Sequence, residues 1–434
     1  MAKLAQDYII ETATIETSVG LTIDLKTSIV ELALFEDIEN PFITGTIVVV
    51  DSQNFINSLN FTGTEKFTLS VRSGDGDAAY LTKTFLMIRI NRMEHANDTT
   101  RVYSIELLEE HAFISRITKI SQAFNSPPVG IIKRLLSTIQ EDLDLNETLL
   151  SSTPVQENIK LITPYLQPLQ AVEWVRDRCT TSAGMPFFLY SSLQYNGIVI
   201  TSLEDILNRG PWNKTPFVYS QGSVRLKDNT VTENPYAIET FEAVDTDDTL
   251  NALMNGAVAA QWNVLDLFNM RFNSNETTQY NIGNIIPNNS VYDTDALINN
   301  KPLNQYPAKQ YYQVVSSNLF PDTGNYHIDG SIDALQTKII NKGIRNAMLK
   351  NMVDIEVNGL PFMKSAGGTV GSVIQVEALN TDSKSGDLLD AKRSGEYIVM
   401  ALRHTFAENK YSISASVTKL ANTLNDKDPK KWIK

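Results

Sequence analysis

Apolar and polar residues alternate through most of the first part of the chain. Tyr8 to Thr17, Leu21 to Leu34, Thr46 to Asp51, Phe67 to Arg72, Thr84 to Met93 and Val102 to Leu108 are rich in Ile, Val, Thr and Phe, and Gly45, Gly63, Gly74 and Gly76 punctuate them. Strand after strand, with polar turns and no long helix between them, predicts a small barrel or sandwich, taken as a β-barrel over 1–112. The period lengthens after Ala112. Pro127-Pro128 opens a predicted helix with Ile131, Ile132, Leu135, Leu136 and Ile139 on one face, and a second follows Pro168 with Ala171, Val172 and Val175. Strands over Phe187 to Leu193 and Ile198 to Ser202 flank Asn196-Gly197, a hairpin turn whose two residues tolerate positive φ. These elements predict an α/β domain over 113–215.

Strand character returns between Phe217 and Ala243. Asp245-Thr246-Asp247-Asp248-Thr249 then predicts the cap of a long helix through Leu250, Leu253, Val258, Trp262, Leu265 and Phe268. Asn273 to Tyr326 is Asn-rich and reads as a long surface excursion. Ser331 caps a helix containing Ile332, Leu335, Ile339, Ile340, Ile344 and Met348, and Val353 to Leu420 read as strands again. The predicted fold is mainly β with α/β insertions: two similar small β-barrels plus two inserted α+β domains. The second barrel is discontinuous, 216–244 and 340–421, around a helical and irregular insertion, 245–339, and 422–434 form an exposed tail.

The two β-regions echo each other. Phe85 to Ile90, a polar turn and Arg101 to Leu107 match Tyr397 to Leu402, a polar turn and Lys410 to Ala415. Upstream, Gly63 to Val71 matches Gly368 to Val376. Alternating hairpins are common in β proteins, so chance similarity is the competing reading. A true duplication gives one chain two similar surfaces, which matters where a ring of few subunits seats on a ring of twice as many.

Composition narrows the function. The 434 residues exceed one comfortable core, 42% hydrophobic and 20% charged residues suit a folded chain, and the formal charge of −13 argues against gripping nucleic acid. The single cysteine, Cys179, excludes an intramolecular disulfide framework and fits a reducing compartment. The N-terminus has no apolar segment of a secretory signal, and no run is long enough to cross a bilayer, so no membrane anchor is expected.

Candidate chemistry is sparse. His95 and His404 fall on the two echoing hairpins and read as exposed or half-buried strand positions; His111 and His327 complete the set. Gly74-Asp75-Gly76-Asp77 lacks the later ligands and closing Glu of a calcium loop. Glu109 and Glu110 are adjacent, which on a strand sends them to opposite faces. Cys179, after Arg176 and Arg178, reads as a half-buried structural thiol. No catalytic, cofactor-binding or metal-ligating set emerges.

The run Glu36-Asp37-Ile38-Glu39-Asn40-Pro41-Phe42-Ile43-Thr44-Gly45-Thr46-Ile47-Val48-Val49-Val50-Asp51-Ser52 resembles the first β-domain of the central baseplate hub protein of contractile-tailed bacteriophages, related to the hub part of type VI secretion spike proteins. Ser115 to Phe124 with the Pro127 helix, Ile162-Thr163-Pro164-Tyr165, Pro168 to Val172, Phe187 to Tyr190, Ile198 to Leu203 and the closing hairpin, Tyr397 to Phe406 and Tyr411 to Ile413, fit the same pattern. Asn273 to Tyr326 has no counterpart in it.

The resemblance implies a homotrimer with two tube domains per chain, adapting a six-fold tail tube to a three-fold spike and forming part of a channel for genome delivery. Its partners would be itself, the tail tube or tube-initiator protein, a separate central spike protein, the tape measure protein and baseplate wedge proteins, with DNA only in transit. It would reside in the tail baseplate of a virion assembled in the host cytoplasm. Assembly contacts are expected at Pro41, Phe42, Ile43 and Thr44, at Phe85, Met87 and Tyr103, at Tyr397, Val399 and Tyr411, and at Trp432. The alternatives are another tail component, such as a wedge or tube-associated protein, and a glycan-binding or hydrolytic virion protein.

Overall fold

The structure, a computed structural model, describes residues 8–17, 20–53, 61–74, 80–95, 100–154, 158–182, 184–220, 234–243, 249–267, 270–272, 278–281, 297–306, 308–315, 332–350, 352–379, 389–390 and 393–420. Strands β1 (Tyr8–Glu16), β2 (Thr22–Asp24), β3 (Ile29–Asp37), β4 (Thr44–Asp51), β5 (Lys66–Ser73), β6 (Tyr80–His95) and β7 (Arg101–Leu108) form the first unit in the order β2-β1-β5-β6-β7-β4-β3. Alternate residues of β4 are buried, as a two-residue period requires. The single strand expected over Leu21 to Leu34 is two strands. Between them the Asp24 carboxylate accepts the Lys26 amide at 2.9 Å and turns the chain.

Helices α1 (Glu110–Ile117), α2 (Pro128–Ser137), α3 (Pro168–Arg176) and α4 (Leu203–Arg209), with β8 (Ala123–Ser126), β9 (Leu145–Asn146), β10 (Ile159–Ile162), β11 (Phe187–Ser191) and β12 (Ile198–Ser202), build the α/β domain. It has its own core, in which Ile131, Leu135, Val172 and Val175 meet Phe187 and Ile200. Helix α4 follows β12 directly because Ser202 caps it, its hydroxyl accepting the Asp205 amide at 2.9 Å.

The second unit comprises β13 (Phe217–Tyr219), β14 (Ala237–Ala243) and, after an insertion, β21 (Met352–Asn358), α7 (Leu360–Lys364), β22 (Val373–Ala378), β23 (Gly395–Ala407) and β24 (Lys410–Thr418). The insertion carries α5 (Thr249–Asn255), β15 (Ala259–Asp266), β16 (Arg271–Phe272), β17 (Thr278–Asn281), β18 (Leu297–Ile298), β19 (Lys301–Pro302), β20 (Lys309–Val315) and α6 (Ile332–Lys350). The long helix expected from Leu250 to Phe268 is therefore corrected. Gly256, at φ +78°, ends α5, and the β-branched and aromatic run after it becomes a strand paired with β16, β17 and β20. The insertion is thus part sheet rather than helical and irregular. Asp245 to Asp248 and Phe268 lie outside the described residues.

Strands β23-β22-β13-β14-β21-β24 close into a six-stranded barrel through the β23–β24 pairing. The last five strands of each unit run in the same spatial order with every neighbour antiparallel, so β3, β4, β5, β6 and β7 correspond to β14, β21, β22, β23 and β24. Two bulges coincide as well. One falls between Ile29 and Glu31 and between Ile238 and Thr240; the other between Met87 and Arg89 and between Val399 and Ala401. Bulges re-aim a strand and set its register, so their recurrence marks a repeated architecture. By this register Lys66 corresponds to Val373 and Leu107 to Val417, so the echo in the sequence is real and displaced by two residues in both flanking strands. An even displacement leaves each side chain on its proper face, which is why the pattern remained visible.

Candidate functional site

The units are joined edge to edge. Strand β3 pairs antiparallel with the outer half of β23, Glu31 to Asp37 against Ala407 to Ala401. The result is one continuous run of eight strands, β6-β7-β4-β3-β23-β24-β21-β14, in which the corresponding four strands follow one another twice in the same order. A groove of about 700 Å³ lies along its solvent face, between Phe35, Thr44, Arg403, Ser414, Glu356 and Glu242.

Short hydroxyls and carboxylates dominate that face. Thr46, Ser104, Thr405, Ser412, Ser414 and Ser416 point outward, opposite buried Ile47, Tyr103, Ile105, Ile413 and Ala415. Glu106, Glu31, Glu242, Asp354 and Glu356 lie among them. Ser416 donates to Asp354 at 2.6 Å and Thr240 to Glu356 at 3.3 Å, which orients both carboxylates. Two guanidinium groups on the face are each paired with an acid: Arg89 with Glu106 at 2.6 Å, and Arg403 with Glu31 at 3.5 Å while lying over the Phe35 ring. These five carboxylates outnumber the two paired guanidinium groups.

Buried polar contacts fix this sheet to the rest of the chain. Glu36 on β3 accepts the Leu193 amide at 2.7 Å and the Thr369 hydroxyl at 3.3 Å, and Thr369 shares a 2.5 Å hydrogen bond with Ser192. Three parts of the fold, first unit, α/β domain and second unit, therefore meet at one carboxylate. His404 Nε2 lies 3.5 Å from Glu36, and its Nδ1 shares a 2.8 Å hydrogen bond with the Tyr411 hydroxyl. Glu109 accepts the Ile43 amide at 2.6 Å and the Ser191 hydroxyl at 3.0 Å, with Lys83 at 3.4 Å. Glu39 bridges Arg176 and Arg345, tying the β3–β4 turn to α3 and α6. Burial lowers the Arg345 pKa, and the neighbouring Arg176 adds to that effect.

The predicted contact residues are placed differently from expectation. Ile43, Phe85, Met87, Tyr103, Tyr397, Val399 and Tyr411 are all buried within the chain, so their side chains hold the barrels together and are not available to another subunit. The correction has a simple cause: the apolar positions of an alternating strand face its own core. Pro41 is buried, its carbonyl 2.8 Å from His111 Nε2; Phe42, half-buried under Arg116, and Thr44 both line the groove. Trp432 lies outside the described residues. The surface the sequence did reveal is the set of intervening polar positions, legible only once each strand's register is known.

The reactive groups singled out earlier are absorbed into structure. His404 is buried, where an exposed or half-buried position was expected, because it shares the inward face of β23 with Leu402 and Phe406. His327 and Asp75 to Asp77 lie outside the described residues. Cys179 is fully buried rather than half-buried, donates to the Val175 carbonyl at 3.2 Å, and has its thiol pushed up to about 12 by burial. Glu109 is buried and Glu110 half-buried, but they lie at the start of helix α1, Glu109 preceding it and Glu110 opening it, rather than on a strand. Among the described residues no three His, Cys, Asp or Glu side chains converge as a metal site would need.

No protein-family model matches the sequence, and a search of curated proteins finds no match. Solved structures do match. A tail protein from Neisseria meningitidis MC58 aligns over 95% of this chain and 97% of its own, at 11% identity and a TM-score of 0.55. The 43 kDa tail protein of prophage MuSo2 from Shewanella oneidensis covers 94% of this chain and 98% of its own, at 11% identity and TM-score 0.52. A chain of the Francisella PdpA-VgrG complex, lidded, covers 96% of this chain but only 53% of its own length, at 10% identity and TM-score 0.51. At these identities the shared property is the fold, and it is the fold of tail proteins, as the sequence resemblance implied.

Proposed function

We propose that this protein is a structural component of a phage-type tail, the hub of its baseplate, and that three copies close into a ring. The observation that carries the reading is the eight-strand run in which one four-strand pattern occurs twice. Strand β3 of the first pattern is already bonded to β23 of the second; repeating that step outward extends the sheet, and because sheets twist and coil with a fixed hand, the extension curves toward closure. Three chains supply six patterns, which match a six-fold tube on one side while the assembly keeps three-fold symmetry on the other. At a strand spacing of about 4.8 Å the backbone ring would be roughly 37 Å across before strand tilt widens it, enough for a DNA duplex once side chains are allowed for. Tail tube, spike, tape measure and wedge proteins are its expected neighbours, each engaged several times over by symmetry.

The acidic, hydroxyl-rich face suits the inside of such a ring. Fixed carboxylates repel phosphates, and Arg89 and Arg403 are each engaged by an acid, which favours a genome sliding without sticking. The role is structural rather than catalytic. Native mass measurement with imaging of the purified protein tests the reading: a three-copy ring with a hollow axis is expected, and a monomer at every concentration would overturn it. Sustained hydrolysis of peptidoglycan by the pure protein would overturn the non-catalytic part.

A further inference from the structure

A separate small sheet lies in the α/β domain. Strands β8 and β10 pair antiparallel, Ala123 to Ser126 against Ile162 to Ile159, and among the described residues neither has a second strand beside it. Their inward residues, Phe124, Ile159 and Leu161, belong to that domain's core. Alternation should then make the outward residues polar, and they are not. Ile162, opposite Ala123, is 50% exposed, and Tyr165 just beyond it is 69% exposed. Ile117, at the end of α1 where the chain enters the same ribbon, is 72% exposed. The two segments stay side by side there: the Ile120 amide donates to the Leu166 carbonyl at 2.9 Å, and the Gln167 side chain donates to the Arg116 carbonyl at 3.4 Å. Tyr165 also holds φ +51°, a left-handed conformation that a bulky side chain adopts only at a cost. Single apolar residues scattered over a surface are ordinary; three large ones along one ribbon mark a place where something binds.

Charge singles out the same ribbon. Residues 115–126 and 158–170 contain Arg116, Lys119 and Lys160, all exposed, and no Asp or Glu, in a chain whose formal charge is −13. Lys160 stands opposite Asn125 on the outward face it shares with Ile162. We infer that this ribbon docks an extended acidic and apolar segment of another tail protein, laid along the free edge of β10. Backbone hydrogen bonds along an unpaired edge hold such a segment whatever its sequence, and the side chains on the outward face select it. Acids beside Lys119 and Lys160 and apolar groups against Ile162 and Tyr165 complement the ribbon, while a basic segment is repelled by its single sign of charge. A third strand also completes a sheet that with two strands is marginal. The source of the segment rests on the reading as a tail component; the surface itself rests neither on that reading nor on the ring.

Short peptides test the surface on the purified full chain. A peptide of alternating valine and glutamate should bind at least about tenfold more tightly than its valine–lysine counterpart. Lys119→Glu combined with Lys160→Glu should reverse that preference. Ile162→Ser combined with Tyr165→Ser should weaken the glutamate peptide by roughly tenfold, with the thermal midpoint kept because all four positions are exposed. Equal binding of the two peptides, or an unchanged preference after charge reversal, overturns the surface and leaves the tail role standing. In assembled tails a photo-reactive side chain at position 165 should join a stretch of another protein richer in acids than in bases. A join to a second copy of this chain, or to lipid, overturns the assigned occupant. Absence of the protein from purified tails overturns the tail reading and leaves the peptide result untouched.

Discussion

Replacing Glu36 with Ala removes the acceptor at which three parts of the fold meet. The Leu193 amide, 2.7 Å from the carboxylate, loses its partner in a buried site; Thr369 keeps only Ser192. An orphaned buried donor costs about 1–3 kcal/mol, and the space left by the side chain adds a cavity term. We expect Glu36→Ala to lose about 3–5 kcal/mol, and Glu36→Gln, which keeps one acceptor oxygen at nearly the same volume, about 1–2 kcal/mol. Because a chain of several domains need not unfold in one step, the local readout is the stronger one. Hydrogen exchange at the Leu193 amide should speed up by roughly two to three orders of magnitude in Glu36→Ala, alongside a lower urea midpoint. If that amide exchanges at the wild-type rate and the midpoint moves by less than the equivalent of about 0.5 kcal/mol, Glu36 is not the junction described here.

Lys419 is buried, donates to the Ser394 carbonyl at 2.6 Å, and has its pKa lowered by burial from 10.5 to about 8. Its folded value lies below its unfolded value, so the unfolded chain holds more protons between the two; wild-type stability relative to Lys419→Met should be flat below about pH 8 and rise by roughly 3 kcal/mol toward pH 10.5, as denaturation midpoints against pH will show. Gly359→Ala places a Cβ 2.4 Å from the Tyr411 ring, which stacks on Phe406 at 4.4 Å and bonds His404, so a loss of about 1–3 kcal/mol is expected in denaturant, and none would mean that the ring has room to move. Replacing Glu242, Asp354 and Glu356 together by Lys should leave ring mass unchanged and slow DNA delivery by the assembled particle; unchanged delivery would remove these carboxylates from the channel wall.

What could be read from the sequence was local, and what was missed depends on contacts between distant residues. Helices α2 and α3 were legible because a Pro start and an apolar stripe are written within a few residues. Two other local signals went unread: Gly256, which ends α5, and Ser202 with Asp205, the capping box of α4. The burial of His404 follows from its alternation with Leu402 and Phe406, but its neighbour Glu36 could not be read, since it comes from more than three hundred residues away. The same holds for the assembly surface. Tyr103, Tyr397 and Tyr411 look adhesive as a list of large apolar residues, but a strand sends such residues to its own core, and the exposed partners between them are plain Ser, Thr and Glu.

The ways in which the two units differ bear on what the repeat is for. The second unit carries its insertion between β14 and β21, where the first has only the turn between β3 and β4, and α6 of that insertion reaches back to the first unit's turn through Arg345 and Glu39. Their first strands differ too: β1 runs antiparallel to β5, whereas β13 runs parallel to β22. Neither difference touches the eight-strand run. The strands that keep their order, direction and the two shared bulges are the ones that build the common face, together with the β5 or β22 neighbour at its end, although β6 bulges a second time between Asn91 and Glu94. A duplication whose purpose was only to enlarge the protein would leave all strands equally free to diverge. The sameness is concentrated where successive patterns must bond to one another, which is what a ring built from half as many chains as repeats requires.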